Sequence, residues 1–258
     1  MSLVKRASKA AMVTLVAGTV GGAALLTAEA IIARRRAYAQ PALGLNLRTK
    51  VGEQDAPLLR LVMLGDSGAL GVGVEDVGDT VGGQLAALLA TGRRVELSSV
   101  GVSGSRSSDL ATQVARALLG QRPDVAVILV GANDVIGLRS PGEAAAYLGA
   151  AVRRLREAGV EVVVGTCPDL GAARAIAPPL RQVVAWWGRR VGRAQVRAVH
   201  AAGGGVVDLG ADTGPVFRAD PNTLCEDRYH PSADGYRVWA YALLPAVAHA
   251  AGVTPTLP

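Results

Sequence analysis

The chain has 258 residues, half of them hydrophobic and only 3% aromatic, which is enough apolar content for one sizeable domain with a tail. Its formal charge of +6 is unevenly placed: residues 1–50 hold eight Lys or Arg against the single acid Glu29, and the rest holds 19 basic and 20 acidic residues. A near-neutral globular part argues against nucleic-acid binding, and two cysteines with three scattered histidines argue against a metal site or a disulfide-built scaffold.

At the N-terminus, Lys5, Arg6 and Lys9 precede an apolar run from Ala10 to Ala28, and Arg34, Arg35 and Arg36 follow it. That length matches the roughly 20 residues of a membrane-spanning helix. Residues 1–36 therefore read as an uncleaved signal anchor, with a cleaved signal peptide ending at the small-x-small stretch Ala37-Tyr38-Ala39 as the second reading. Basic residues at both ends leave the orientation open. Gly18 and Gly22 make a small-xxx-small pair that fits helix approach or plain Ala/Gly composition equally well. Residues 37–57 are polar and aperiodic, a linker to a domain over 58–258. The membrane is thus an expected partner through this segment, and the catalytic domain is expected outside the cytoplasm.

From residue 58 the chain alternates. Residues 59–65 form a short apolar run that stops at Gly65-Asp66-Ser67, as a buried strand would. A helical stretch (80–92), a second strand (94–101), a Ser-started helix (107–120) and a strongly β-branched third strand (123–134) follow. Then come a helix over 140–159, a strand over 160–169, a long helix from about 178 to 200, a short strand (206–210) and a closing helix after Pro231. This order predicts a three-layer α/β/α, doubly wound domain with a five-stranded, mainly parallel sheet of flavodoxin-like order. In such sheets the chemistry sits beyond the carboxyl ends of the strands. The loops after residues 65, 101, 131 and 167 should then be neighbours.

A turn and a helix N-cap are the ordinary roles for Ser67. What raises another reading is the content of the other strand ends: Gly101 and Gly104 after the second strand, Asn133 after the third, and Asp227 three residues before His230. A serine nucleophile needs a base, a group to orient that base, and donors for the oxyanion. These residues supply all three. The run Gly68–Val74 lacks the phosphate-loop and dinucleotide fingerprints, and Ser67 lacks the G-x-S-x-G setting of an α/β-hydrolase elbow.

Four blocks occur here, Gly65-Asp66-Ser67, Gly101-Val102-Ser103-Gly104, Gly131-Ala132-Asn133-Asp134 and Asp227-x-x-His230-Pro231. In order and spacing they resemble the SGNH hydrolases, the GDSL-type esterases and lipases, over about residues 58 to 251. The resemblance implies Ser67 as nucleophile and His230 as general base and acid, with Asp227 as its orienting partner. The oxyanion donors would be the backbone N–H groups of Ser67 and Gly104 and the side chain of Asn133. It implies acyl transfer through an acyl-enzyme with no cofactor or metal, on a small-molecule or lipid ester. A cell-envelope carbohydrate O-acetylesterase or an acyltransferase with the same triad is the alternative. A membrane-tethered binding protein that keeps the fold without turnover is the rival from another class.

Two departures stand out: Ser99 replaces the Asn that often precedes the second block, and the third block has Ala132 where Thr or Gly is frequent. Asp66 and Asp134 read as loop-bonding residues, while His200 and His249 fall on helices as surface or packing residues. Cys167 and Cys225 could pair in a disulfide or stay free. One of Trp186 and Trp187 should face the core. Arg189, Arg190, Arg193 and Arg197 read as a solvated face.

Overall fold

The structure, a computed structural model, describes residues 22–33, 35–43 and 47–254. Its centre is a six-stranded sheet of β1 (Arg48–Val51), β2 (Leu58–Gly65), β3 (Arg94–Ser99), β4 (Val125–Leu129), β5 (Glu161–Gly165) and β6 (Gly205–Val207). The spatial order is β1-β3-β2-β4-β5-β6, and every pairing is parallel except β1 with β3. The five parallel strands thus take the flavodoxin-like order that the alternation of elements predicts.

Period-2 alternation divides the core between the two faces of the sheet. Leu59, Leu61 and Met63 of β2, with Val125, Val127 and Leu129 of β4, pack under the helices Val81–Leu89 and Ala233–Ala250. Val62 and Leu64, with Ala126 and Ile128, pack under Leu110–Ala117 and Pro141–Glu157 and the C-terminal end of Leu180–Ala201. Both faces are covered, so β4 is buried at all five positions and reads as a continuous apolar run. The helices start where the sequence supplies acceptors. Thr80 accepts from the N–H of Gly83, Ser140 from Glu143 and Ser232 from Gly235.

Two expectations need correction. First, the sheet has six strands, because residues 48–51 of the expected linker pair antiparallel with β3, Thr49 against Leu97. Four residues alternating between exposed and half-buried carry too little hydrophobic pattern to announce a strand; the open edge of β3 supplies the pairing. Second, the helix expected over 107–120 begins as a 3-10 turn, Ser107–Asp109, and Ser107 is not its cap. The carboxylate of Asp109 accepts from the N–H of Arg106, while Ser107 turns to Asp134. Of the two states open to Cys167 and Cys225, the structure has the free thiols.

Of the expected anchor, residues 1–21 and 34 lie outside the described residues. Residues 22–33 are helical, and among the described residues no helix is long and apolar enough to cross a membrane. The interruption of the apolar run by Glu29 has a structural reason. Helix Leu180–Ala201 starts after Pro179, which offers no side-chain cap. The Glu29 carboxylate accepts from the N–H of Leu180 at 2.9 Å, where helix dipole and free N–H groups favour an anion.

Candidate active site

β2 leaves the sheet at Gly65, whose φ is +131° and where a Cβ would overlap the carbonyl of Leu129. Only glycine allows the chain to turn there against β4. Asp66 then caps the one-turn helix Ser67–Leu70, its Oδ1 accepting from the N–H of Gly68 at 3.0 Å. The cap is Asp66 and not Ser67, so the serine hydroxyl is released from helix duty. Its Oγ lies 3.1 Å from Nε2 of His230. The turn is braced from behind by Tyr236, whose buried hydroxyl donates to the carbonyl of Val72 at 2.7 Å.

His230 and Asp227 sit in a tight loop closed by a bridge between Leu224 and Pro231 and by the N–H of Cys225 donating to the carbonyl of His230. Arg228 adopts φ +59° to make the turn. Asp227 Oδ2 lies 2.6 Å from His230 Nδ1 and accepts from the N–H of Ala39 at 3.0 Å. Its Oδ1 accepts from the N–H groups of Tyr229 (2.7 Å) and His230 (2.8 Å) and from the Cys225 thiol. Burial alone would raise the Asp227 pKa. The bonds from His230, Ala39 and Tyr229 outweigh it and hold the carboxyl well below the usual carboxylate range. An ionised Asp227 accepts a hydrogen bond from Nδ1–H, which stays on the ring, and leaves Nε2 as the acceptor facing Ser67.

The donors come from two further strand ends. Gly104 has φ +81°, and its N–H has no acceptor among the described residues, nor has that of Ser67. Asn133 Nδ2 donates to the carbonyl of Ser105 at 3.1 Å and lies 3.5 Å from Asp66 Oδ2, the second contact being at the limit of a hydrogen bond. A cavity of about 360 Å³ touches Ser67, Gly104, Asn133 and His230 together. A smaller one, about 60 Å³, lies on the other side of Ser67 against Leu129, Phe217 and Trp239. All five expected site residues therefore meet at one place at the carboxyl edge of the sheet. Among the described residues no group of three His, Cys, Asp or Glu is placed to hold a metal.

Comparison with known proteins assigns the chain. Residues 63–238 match the model of the GDSL-like lipase/acylhydrolase family, a span that contains Ser67, Gly104, Asn133, Asp227 and His230. The chain belongs to that family. A GDSL-like esterase of Mycobacterium tuberculosis is 45% identical over 193 residues, which cover 73% of this chain and 62% of that protein. Among solved structures, TesA superposes with a TM-score of 0.62 at 19% identity, covering 74% of this chain and 99% of that one. An acetylxylan esterase from Geobacillus stearothermophilus gives 0.56 at 23% identity, covering 77% and 96%. These likenesses establish the GDSL-like α/β/α fold with its central parallel sheet.

Within this GDSL-like domain, several residues that hold the site together escape sequence reasoning. Two buried glutamines act as substitute strand partners. Gln113 accepts from the N–H of Gly65 at 2.7 Å and donates to its carbonyl at 2.9 Å. Gln195 accepts from the N–H of Cys167 at 2.8 Å and donates to the carbonyl of Val130 at 3.0 Å. Each comes from a helix and satisfies backbone groups where strands diverge to open the site. A buried Gln on an otherwise apolar helix face is the signal that could have found them.

Asp134 does not tie its own turn as expected. It accepts from the N–H (3.0 Å) and hydroxyl (2.9 Å) of Ser107, linking the Gly104 loop to the Asn133 helix. Asp66 bonds its own loop as expected, and burial pushes its pKa up to about 6 against the opposing pull of Gly68 and His230. Ser99 Oγ lies 3.3 Å from the carbonyl of Ala69 and accepts from Gly101 N–H at 3.2 Å, a short-armed tie between the first two blocks. Trp187 turns inward against Val135 and Val184, its indole N–H donating to the carbonyl of Arg139, and Trp186 is exposed beneath Arg190. Arg189, Arg190, Arg193 and Arg197 are exposed, as are His200 and His249.

Proposed function

We propose that the chain is a serine ester hydrolase working through Ser67, His230 and Asp227. The observation that carries the reading is the run of contacts from Ser67 Oγ to His230 Nε2 (3.1 Å) and from His230 Nδ1 to Asp227 Oδ2 (2.6 Å). In this mechanism Oγ attacks the ester carbonyl carbon as its proton passes to Nε2. The oxygen that becomes negative accepts from the N–H groups of Ser67 and Gly104 and from the Asn133 amide. Collapse of the tetrahedral intermediate breaks the bond to the alcohol, which leaves with the Nε2 proton. Water then attacks the acyl-enzyme with His230 again taking a proton, and the acid departs with Ser67 restored.

The cavity beside the donors is lined by Ile136, Leu138, Ile176, Leu180 and Val184. That lining favours an apolar acyl or lipid ester over an acetylated sugar, and the acetylxylan esterase likeness argues for fold alone. For localisation, the apolar run from Ala10 to Ala28 between basic clusters supports membrane anchoring, and the side outside the cytoplasm is the one we propose for the domain. Glu29 binds the domain close to the site, so the site would lie near the membrane surface.

Hydrolysis of p-nitrophenyl esters from acetate to palmitate tests the reading. Ser67→Ala is expected to lower kcat by roughly 10⁴-fold or more while the protein stays folded. Turnover that survives the substitution, or a folded wild type that neither turns over esters nor reacts with a fluorophosphonate, would reject it.

A further inference from the structure

The strongest feature left unused by the triad is the segment that precedes the domain. Its helix presents Leu26, Glu29, Ala30 and Ala33 at helical spacing as its less exposed residues, while Ile31 and Ile32 face out. Three contacts fix the segment. Glu29 accepts from Leu180 N–H. The Tyr38 ring meets those of Tyr229 and His230 edge-on, at 5.1 and 6.3 Å between centroids. Ala39 N–H donates to Asp227 Oδ2. Between these points Ala30, Ala33 and Tyr38 line the same 360 Å³ cavity as Ser67, Gly104 and Asn133, together with Ile176, Leu180 and Val184.

We propose that Ala30, Ala33 and Tyr38–Gln40 are the outer wall of an acyl-chain pocket, so that the segment before the domain selects medium-chain acyl esters. The proposal rests on the ester-hydrolase reading and deepens it. Gly104 and Asn133, which would hold the carbonyl oxygen, line this cavity together with Ile136, Leu138 and Ile176. The carbon chain on that carbonyl has apolar surface within reach. The smaller cavity that also touches Ser67, about 60 Å³, has room for only a short group. Ala30 and Ala33 are the residues whose small size keeps the pocket open. Ala39, through its N–H on Asp227, positions the triad from the same segment.

The test uses the full chain. Wild-type kcat/KM is expected to rise about fourfold per methylene from acetate towards octanoate as each buried group adds its transfer energy. Ala33→Trp, and separately Ala30→Phe, should lower the octanoate-to-acetate ratio of kcat/KM at least ~10-fold. Ile32→Ser on the outer face should leave that ratio unchanged. A readout independent of turnover is decanoate binding to the Ser67→Ala chain by calorimetry, which adding Ala33→Trp should weaken by a similar factor. An unaltered ratio in both filled variants, or decanoate affinity indifferent to Ala33→Trp, overturns the proposal. Decanoate binding that Ala33→Trp blocks, in a protein whose wild type hydrolyses no ester, would keep the pocket and reject the hydrolase reading.

Discussion

Asn133 shows how one side chain holds two duties. One amide hydrogen is held by the Ser105 carbonyl, which fixes the group's orientation, and the other has only a 3.5 Å contact with Asp66 to give up. A weakly held donor aimed into the cavity costs little to transfer to a developing oxyanion. Asn133→Ala is therefore expected to lower kcat on the order of 10²–10³-fold with little change in KM, measured on a short p-nitrophenyl ester. Asp66 makes a separate prediction. Burial pushes its pKa up to about 6, so the folded protein holds a proton that the unfolded chain releases near pH 4. Its contribution to stability is complete below about pH 4 and is lost as pH rises through 6, on the order of 3 kcal/mol. Asp134, also raised by burial, acts in the same sense. Asp227 is held low, and its contribution is lost only as pH falls below the usual carboxylate range. Urea unfolding between pH 4 and 7 should thus show a smaller decline with pH in Asp66→Asn than in wild type. An identical decline would mean that Asp66 ionises normally.

Elements meet at this site through side chains that complete the backbone. Where β2 ends, Gly65 has lost its ladder partner on one side, and Gln113 from helix Leu110–Ala117 replaces it with two hydrogen bonds. Gln113→Leu keeps the volume but leaves the buried N–H of Gly65 unpaired, an expected loss of about 2–3 kcal/mol. Chemical denaturation should show a lower midpoint with the same slope; an unchanged midpoint would mean that water or another group takes over. Helix Leu180–Ala201 shows the same economy, since Gln195 serves the strand ends while Glu29, far away in sequence, serves the helix start.

In the whole molecule, charge and apolar content are segregated. The domain is near neutral, and the basic residues bracket one apolar run at the N-terminus. If that run enters a bilayer, the full chain should float with liposomes and remain bound in about 1 M NaCl, where exposed charge–charge attraction is screened within about 3 Å. Release by salt alone would point to surface attraction and against an anchor. With the run in a bilayer, the pocket wall built from Ala30, Ala33 and Tyr38 would sit between lipid and nucleophile, joining localisation to substrate choice.

The sequence by itself determined the order of elements, the parallel sheet and the residues at its carboxyl edge. Alternating strand and helix periods are local, and the Gly, Ser, Asn, Asp and His of the four blocks have few other reasons to fall at successive strand ends. Tertiary structure alone decided three things. Residues 48–51 became a strand because an open edge of β3 lay beside them. The thiols of Cys167 and Cys225 stayed free. Gln113, Gln195, Glu29 and the N–H of Ala39 found partners far along the chain, Ala39 meeting Asp227 across 188 positions. Such contacts have no period and no local motif. They depend on which backbone groups the folded sheet leaves without a partner, and that is fixed only once the distant segments have packed.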